Sequence, residues 1–287
     1  MTDFTTRSMT GATAGATELL AAARAAANAA AELLRDVRPA DIRAKGNPKD
    51  LVTEWDLRSE DVIRRVLAEH TPGIAMLGEE TGLGGEPGTE RPGRSAEPSP
   101  RWIVDPIDGT VNFAHGLPIW SVSIGLEIAG QLEVGVVVAP QLGWWFEASR
   151  GGGARDGSGA PLGVSSVTQL EHAMLVTGFP YDRATRPDNN FAEWAHFQRR
   201  AGACRRLGAA SIDLCLVARG WMDGYWERHL KPWDIAAGVL IVAEAGGTVT
   251  GWTGAGIDIH EGAVVATNGA IHEELVAELG RVHRPAG

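Results

Sequence analysis

Cysteine, long apolar runs and surplus positive charge are all scarce in this chain, and each scarcity removes a class of protein. Only two of the 287 residues are cysteine, Cys204 and Cys215, with no CxxC pair and no paired histidines. Such spacing excludes a disulfide framework and a structural zinc site, and it fits a reducing cytoplasm. No uninterrupted apolar run approaches the ~18 residues of a spanning helix, and the N-terminus, MTDFTTRSMTGATAGATELL, has no apolar stretch behind a basic start. Secretion and membrane insertion are therefore not expected. With 26 basic against 36 acidic residues the net charge is −10, and the arginine pairs at 64/65, 199/200 and 205/206 are scattered. This balance offers no field for direct capture of nucleic acid or anionic lipid. Also missing are the GxxxxGKS/T and GxGxxG phosphate loops, the GxSxG elbow of a serine hydrolase, and any HxxH or HExxH pair.

What is present is an ordinary globular composition, 44% hydrophobic and 22% charged. A chain of this length buries roughly three quarters of the surface its unfolded form exposes, so it needs no covalent staple. Residues 1–14, rich in Thr, Ser and Gly, read as a disordered tail, and 17–35 as an Ala-rich helix. A second helix is expected over 55–69, where Val62, Ile63, Val66 and Leu67 form a stripe, followed by a strand at 74–77 that runs into Gly78-Glu79-Glu80. The stretch 82–100, dense in Gly, Pro, Glu and Ser, reads as a mobile surface insertion. A strand at 101–104 ends in DPIDGT (105–110), and the segments after it alternate as an antiparallel meander. Beyond that, helices near 190–201, 209–219, 232–245 and 271–281 interleave with strands near 173–178, 247–251 and 263–267 and a short strand ending at Trp226-Glu227. The expected organisation is one catalytic domain, 15–287, in two lobes: 15–162, helices plus antiparallel sheet, and 163–287, interleaved α/β.

Four acidic positions stand at predicted strand ends or helix starts: Glu79 with Glu80, Asp105, Asp108 and Asp234. Each has a plain structural reading. Asp105 to Gly109 has the composition of a β-turn, Glu79-Glu80 that of a solvated loop, and Asp234 that of an acidic residue favoured by a helix dipole. The alternative is that they converge. Asp105, Asp108 and the carbonyl between them at Ile107 form an all-oxygen half-shell suited to a hard cation such as Mg²⁺. Several carboxylates in one pocket repel one another unless cations neutralise them, and a site reversed in sign by Mg²⁺ binds a phosphate monoester in an otherwise acidic protein. Trp144, Trp145, Trp226 and Trp233 read as core side chains, and the two cysteines as small buried hydrophobes.

The order of these words is informative. Lys45, PKDLVTEWD (48–56), GEE (78–80), DPIDGTVNF (105–113) and KPWDIAAG (231–238) follow one another along the chain. The series resembles the inositol monophosphatase family of lithium-sensitive, magnesium-dependent phosphatases, from about Lys45 to Gly247. The resemblance implies a mixed α/β (α+β) fold, a layered αβαβα sandwich. It implies two to three Mg²⁺ ions: the first on Glu79, Asp105 and the Ile107 carbonyl, the second on Asp105, Asp108 and Asp234, and a weaker third near Glu79. Glu79 and Thr110 would activate the attacking water, Asp56 would support Thr110, and the amides of Gly109 and Thr110 would bind phosphate oxygens. Glu227, seven residues before Asp234, and Ala210 within Gly208-Ala209-Ala210 would contact the substrate's hydroxyls. The activity implied is hydrolysis of a small phosphorylated polyol, myo-inositol 1-phosphate first, by a cytoplasmic homodimer. Histidinol phosphate and other sugar or nucleotide phosphates are the alternatives within the family. A role as a protein partner of the transcription and RNA machinery is the alternative of another class.

Overall fold

The computed structural model describes residues 10–84 and 100–282, the first five of them as backbone alone. An N-terminal helix, α1 (Thr10–Leu34), precedes an antiparallel pair, β1 (Ile42–Ala44) and β2 (Leu51–Thr53), and helix α2 (Glu54–His70). Next come β3 (Ala75–Gly78), β4 (Gly82–Leu83), β5 (Arg101–Asp108), the short helix α3 (Thr110–His115), β6 (Ser121–Ile128), β7 (Gln131–Ala139), β8 (Trp144–Ser149) and β9 (Gly153–Asp156). The remainder runs β10 (Met174–Thr177), α4 (Phe191–Arg200), β11 (Ala203–Arg205), α5 (Ala210–Ala218), β12 (Gly224–Arg228), α6 (Pro232–Glu244), β13 (Thr248–Thr250), β14 (Ala263–Thr267) and α7 (His272–Val282).

Seven strands in the order β4-β3-β5-β6-β7-β8-β9 form one sheet, and five in the order β11-β10-β12-β14-β13 form a second. The first is antiparallel except at β3–β5, and the second mixes parallel β10–β11 and β10–β12 with antiparallel β12–β14 and β13–β14. Both sheets are covered on both faces, as the alternation of side chains along the strands shows. Trp102 and Val104 of β5 pack with the Ala-rich stripe of α1 and with α2, whereas Ile103 between them packs with α5 and α6. In the second sheet Val176, Tyr225 and Val264 face α5 and α6, while Leu175, Trp226 and Val265 face Phe197 of α4 and Leu275 of α7. The result is a mixed α/β protein of five layers, αβαβα, as expected.

Helices α5 and α6 lie between two sheets and are accordingly apolar around most of their circumference, with Asp213 the one charged residue of α5. All nine residues of α5 are buried. On the seven-stranded sheet, paired glycines let α6 come close: Gly125 and Gly135 are register partners, and a Cβ at either would lie 2.9 Å from Ala236 Cβ or 2.7 Å from the Ala237 carbonyl.

The structure changes several boundaries. Helix α1 begins at Thr10, inside the tail expected over 1–14, of which residues 1–9 lie outside the described residues. Residues 82–83 of the expected insertion form β4 against β3, and 85–99 lie outside the described residues. Strands β1, β2 and β11 and helix α3 were not predicted, being six residues or shorter, too short for periodicity to register. The DPID run belongs to β5 and is not a turn: Asp105 pairs with Ser123 and Asp108 with Ser121, so β5 carries one residue more than β6 across this interval. Pro106 has no N–H to give the ladder, which suits it to a bulge. In a regular strand residues three apart point to opposite faces; the extra residue returns Asp108 to the face of Asp105.

Candidate active site

The bulged end of β5, the loop after β3 and the N-termini of α2, α3, α5 and α6 meet on one side of the sandwich. A cleft of about 290 Å³ opens there, lined by Glu79, Asp108, Asp234, Ala210 and Glu227 among others. Asp105, Ile107, Thr110 and Asp56 lie behind this surface, all buried. The residues singled out in the sequence thus gather at one place, although up to 178 positions separate Asp56 and Asp234 in the chain. A larger cavity of about 730 Å³, bounded by Glu127, Arg150, Glu244 and His260, lies at the other end of α6 and contains none of them.

Two aspartates are placed by the same local device. Thr53 caps α2, and its backbone N–H donates to Asp56 Oδ2 at 2.8 Å, with its hydroxyl donating to the same oxygen at 2.6 Å. At α6, Pro232 occupies the first turn, and the Lys231 N–H donates to Asp234 Oδ2 at 2.6 Å. In each case the third helical residue reaches back to the cap, which orients its carboxylate. Asp56 then turns its other oxygen to Thr110, whose hydroxyl lies 3.2 Å from Asp56 Oδ1 and 3.0 Å from the Ile107 carbonyl.

Asp108 has three donors from the start of α5: the N–H of Ala210 at 3.2 Å, the N–H of Ser211 at 2.7 Å and the Ser211 hydroxyl at 2.5 Å. It therefore joins the sheet to the α5 N-terminus as well as facing the cleft. Gly109 has φ +91°, and a Cβ there would lie 3.1 Å from the Ile119 carbonyl and 3.2 Å from Ala209 Cβ, so only glycine turns the chain into α3 without strain. Asp105 accepts the Ile107 N–H at 3.0 Å.

Burial and mutual repulsion act on the whole group. Burial, followed by the charges of Glu79, Asp108 and Asp234, pushes Asp105 well above the usual carboxylate range. Asp234 is raised well above it by burial and then by Glu79 and Asp108. Burial brings Asp108 to about 6 against the opposing Ser211 hydrogen bonds, and Asp56 to about 6 against those from Thr53. Glu227 is lifted to about 7 by burial, although the Tyr225 hydroxyl donates to its Oε2 at 2.7 Å. A Cβ at Gly178 would stand 2.2 Å from both its oxygens, so a side chain there would displace the carboxylate.

The donor set fits a hard divalent cation. All the convergent groups are carboxylates, with one strand carbonyl beside them, and nitrogen and sulfur ligands are absent from the set. A cation already rests against it: Lys45 Nζ lies 2.9 Å from Glu79 Oε1 and also bonds Glu80. Burial alone would lower the Lys45 pKa, but the charges of Glu79 and Glu80 more than offset it and hold the ammonium above its ordinary value. Among the described residues no three acidic, histidine or cysteine side chains close around one point, so the carboxylates face a common cleft without forming a finished cage.

Sequence reasoning missed two residues here. Glu60, buried on α2, accepts the N–H groups of Glu80 at 2.8 Å and Thr81 at 3.2 Å, the Thr81 hydroxyl, and Arg64 Nη2 at 2.9 Å. It holds the loop carrying Glu79; nothing in its helical position distinguishes it from a surface glutamate. Asp213 lines the cleft from α5, and its one signal was being the only charged residue in the apolar run ASIDLCLVA.

Residues 16–284 match the model of the inositol monophosphatase family, and the chain belongs to that family. It is 42% identical over 238 residues to the inositol-1-monophosphatase of Synechocystis sp., covering 83% of this chain and 79% of that protein. It is 38% identical over 262 residues to the Nus factor SuhB of Pseudomonas aeruginosa, covering 90% and 94% of the two chains. The solved inositol monophosphatase from Anabaena (Nostoc) sp. superposes with a TM-score of 0.81 at 38% identity, covering 92% of this chain and 96% of that one. The protein is thus a phosphatase of a metal-dependent family, one generally served by Mg²⁺. No helix among the described residues is long and apolar enough to cross a membrane.

Proposed function

We propose that this protein hydrolyses a small polyol phosphate, myo-inositol 1-phosphate in the first instance, with two to three Mg²⁺ ions held by Glu79, Asp105, the Ile107 carbonyl, Asp108 and Asp234. The observation that supports the reading is one cleft lined by Glu79, Asp108 and Asp234 together with Glu227 and Ala210, with Asp105 buried behind it. Bound there, Mg²⁺ would neutralise the phosphate and lower the pKa of a coordinated water.

The chain's own groups supply the rest. Thr110 passes its hydroxyl proton toward Asp56, which leaves the Thr110 oxygen free to accept a proton from the attacking water, with Glu79 as the second acceptor. Asp56 is suited to this because both its oxygens are already oriented, one by Thr53 and one by Thr110. The N–H groups of Gly109 and Thr110, which open α3 and have no intrahelical acceptor, bind phosphate oxygens. Glu227, with a pKa of about 7, accepts hydrogen bonds from substrate hydroxyls.

A panel of inositol 1-phosphate, histidinol phosphate, fructose 1,6-bisphosphate, adenosine 3',5'-bisphosphate and glucose 1-phosphate, with and without Mg²⁺, tests the reading. Mg²⁺-dependent phosphate release led by inositol 1-phosphate is expected. Another leading substrate would keep the chemistry and remove that assignment.

Stability should report the metal as well. The folded protein keeps protons on Asp105, Asp108 and Asp234 that the unfolded chain, with carboxylates near pH ~4, releases. Their contribution without metal is complete below that unfolded value and is lost as pH rises through the folded one, about 6 for Asp108. Mg²⁺ must displace those protons, so it should raise the melting temperature more near pH ~8 than near pH ~5. Equal shifts at both would speak against binding at these carboxylates.

The family resemblance also supports lithium sensitivity, a homodimer and a cytoplasmic setting. A second reading, a protein partner of the transcription machinery, is favoured by the relative named Nus factor SuhB. The net charge of −10 places any such role on protein contacts and not on direct nucleic-acid binding. A pull-down with a turnover-dead variant separates the two, because a binding role survives loss of the carboxylates.

A further inference from the structure

Asp213 is a carboxylate with no evident reason to be where it is. It stands on the first turn of α5, is 1% exposed, and its Oδ1 has no hydrogen-bond partner. The amides that open α5 do not serve it, since those of Ala210 and Ser211 go to Asp108, and its own N–H donates to the Ala209 carbonyl. The nearest charges are unhelpful as well: Glu227 and Asp108 repel it, and Arg206, exposed at the edge of the cleft, offsets them in part. A buried polar atom left without a partner is costly, and native proteins keep few of them. Yet Asp213 lines the cleft together with Glu227 and Ala210.

We propose that Asp213 is a specificity residue that, together with Glu227, binds the hydroxyl groups of the alcohol half of the substrate. The proposal rests on the phosphatase reading above and adds a residue to it: Asp213 selects the polyol leaving group, with at least two hydroxyls, over an aryl or alkyl alcohol. Hydroxyls suit the position because each both donates and accepts, so they satisfy the Asp213 oxygens whether the group is ionised or protonated. Glu227 has one oxygen engaged by Tyr225 and offers the other, which leaves two carboxyl groups facing one small cleft from α5 and β12. A site built to hydrogen-bond hydroxyls rejects analogues lacking them, because its buried polar groups would then stay unpaired.

The test compares the parent enzyme with Asp213→Ala and Asp213→Asn on inositol 1-phosphate and on p-nitrophenyl phosphate, whose leaving group lacks the additional hydroxyls. Asp213→Ala should lower kcat/KM for inositol 1-phosphate by at least about 10-fold and leave p-nitrophenyl phosphate within about 2-fold. Asp213→Asn, which keeps a donor and an acceptor, should restore most of the loss. Melting temperature gives the independent readout: removing an unpaired buried carboxylate should leave it unchanged or raise it, whereas a merely structural Asp213 predicts a fall. Parallel loss on both substrates, or no loss on either, would overturn the proposal. If the parent enzyme hydrolyses no member of the panel with Mg²⁺ present, the phosphatase reading itself fails, and this one with it; turnover of another member alone removes the polyol assignment and leaves the chemistry.

Discussion

Asp105→Asn is expected to yield a folded protein that melts higher than its parent in the absence of metal and releases no phosphate in its presence. The two effects have one cause. Asp105 is buried, and burial and the charges of Glu79, Asp108 and Asp234 already hold it toward its neutral form. An amide has the same shape, keeps an oxygen for the Ile107 N–H now bonded at 3.0 Å, and removes a source of repulsion at no cost in packing. In a chain of this size ~1 kcal/mol moves the melting temperature by roughly 2–4 °C, so the rise should be measurable. The same change removes the carboxylate proposed to serve two ions at once. Loss of turnover by about 10³-fold or more and loss of the Mg²⁺-induced rise in melting temperature should follow. Turnover with Mg²⁺ at the parent rate would sink the ligand assignment; a lower metal-free melting temperature would show that Asp105 is structural. Asp108 is less suited to this test, because its three bonds to Ala210 and Ser211 give it a structural share.

Glu60→Ala is expected to be the most damaging single change outside the cleft. Its carboxylate is the common acceptor for two backbone N–H groups, the Thr81 hydroxyl and Arg64, and it is 1% exposed. Removing one partner of a buried pair costs about 3–5 kcal/mol, here with two amides left unpaired as well. At the lower figure the melting temperature should fall by roughly 6–12 °C. Activity should fall with it, since Glu79 and Glu80 ride on the loop that Glu60 holds. Glu60→Gln retains an acceptor and should recover part of both. A thermal melt with a phosphate-release assay decides the matter, and an unchanged melting temperature for the alanine variant would remove Glu60 from this role. Gly78 shows how closely the loop is held: a Cβ there would stand 2.4 Å from the Glu60 carboxyl carbon.

The amino-acid sequence alone determined the longer elements and the class of chemistry. Helix α2 could be read from the stripe Val62, Ile63, Val66, Leu67, and α6 from Pro232 at its start and Gly246-Gly247 past its end, because periodicity and capping are local properties. The acidic words GEE, DPIDGT and KPWD named Glu79, Asp105, Asp108 and Asp234 for the same reason: carboxylates at strand ends and helix starts are visible without a fold. Tertiary structure alone decided how they stand. The bulge that puts Asp105 and Asp108 on one face depends on pairing with β6, and no local rule distinguishes it from a turn. Glu60 and Asp213 were illegible because a glutamate on a helix and an aspartate in an apolar run acquire meaning only from what surrounds them: the loop after β3 in one case, a cleft wall without a partner in the other. Propensity and pattern are carried by neighbours in the chain, whereas burial, desolvation and convergent charge are carried by neighbours in space, and those exist only once the two sheets have closed around α5 and α6.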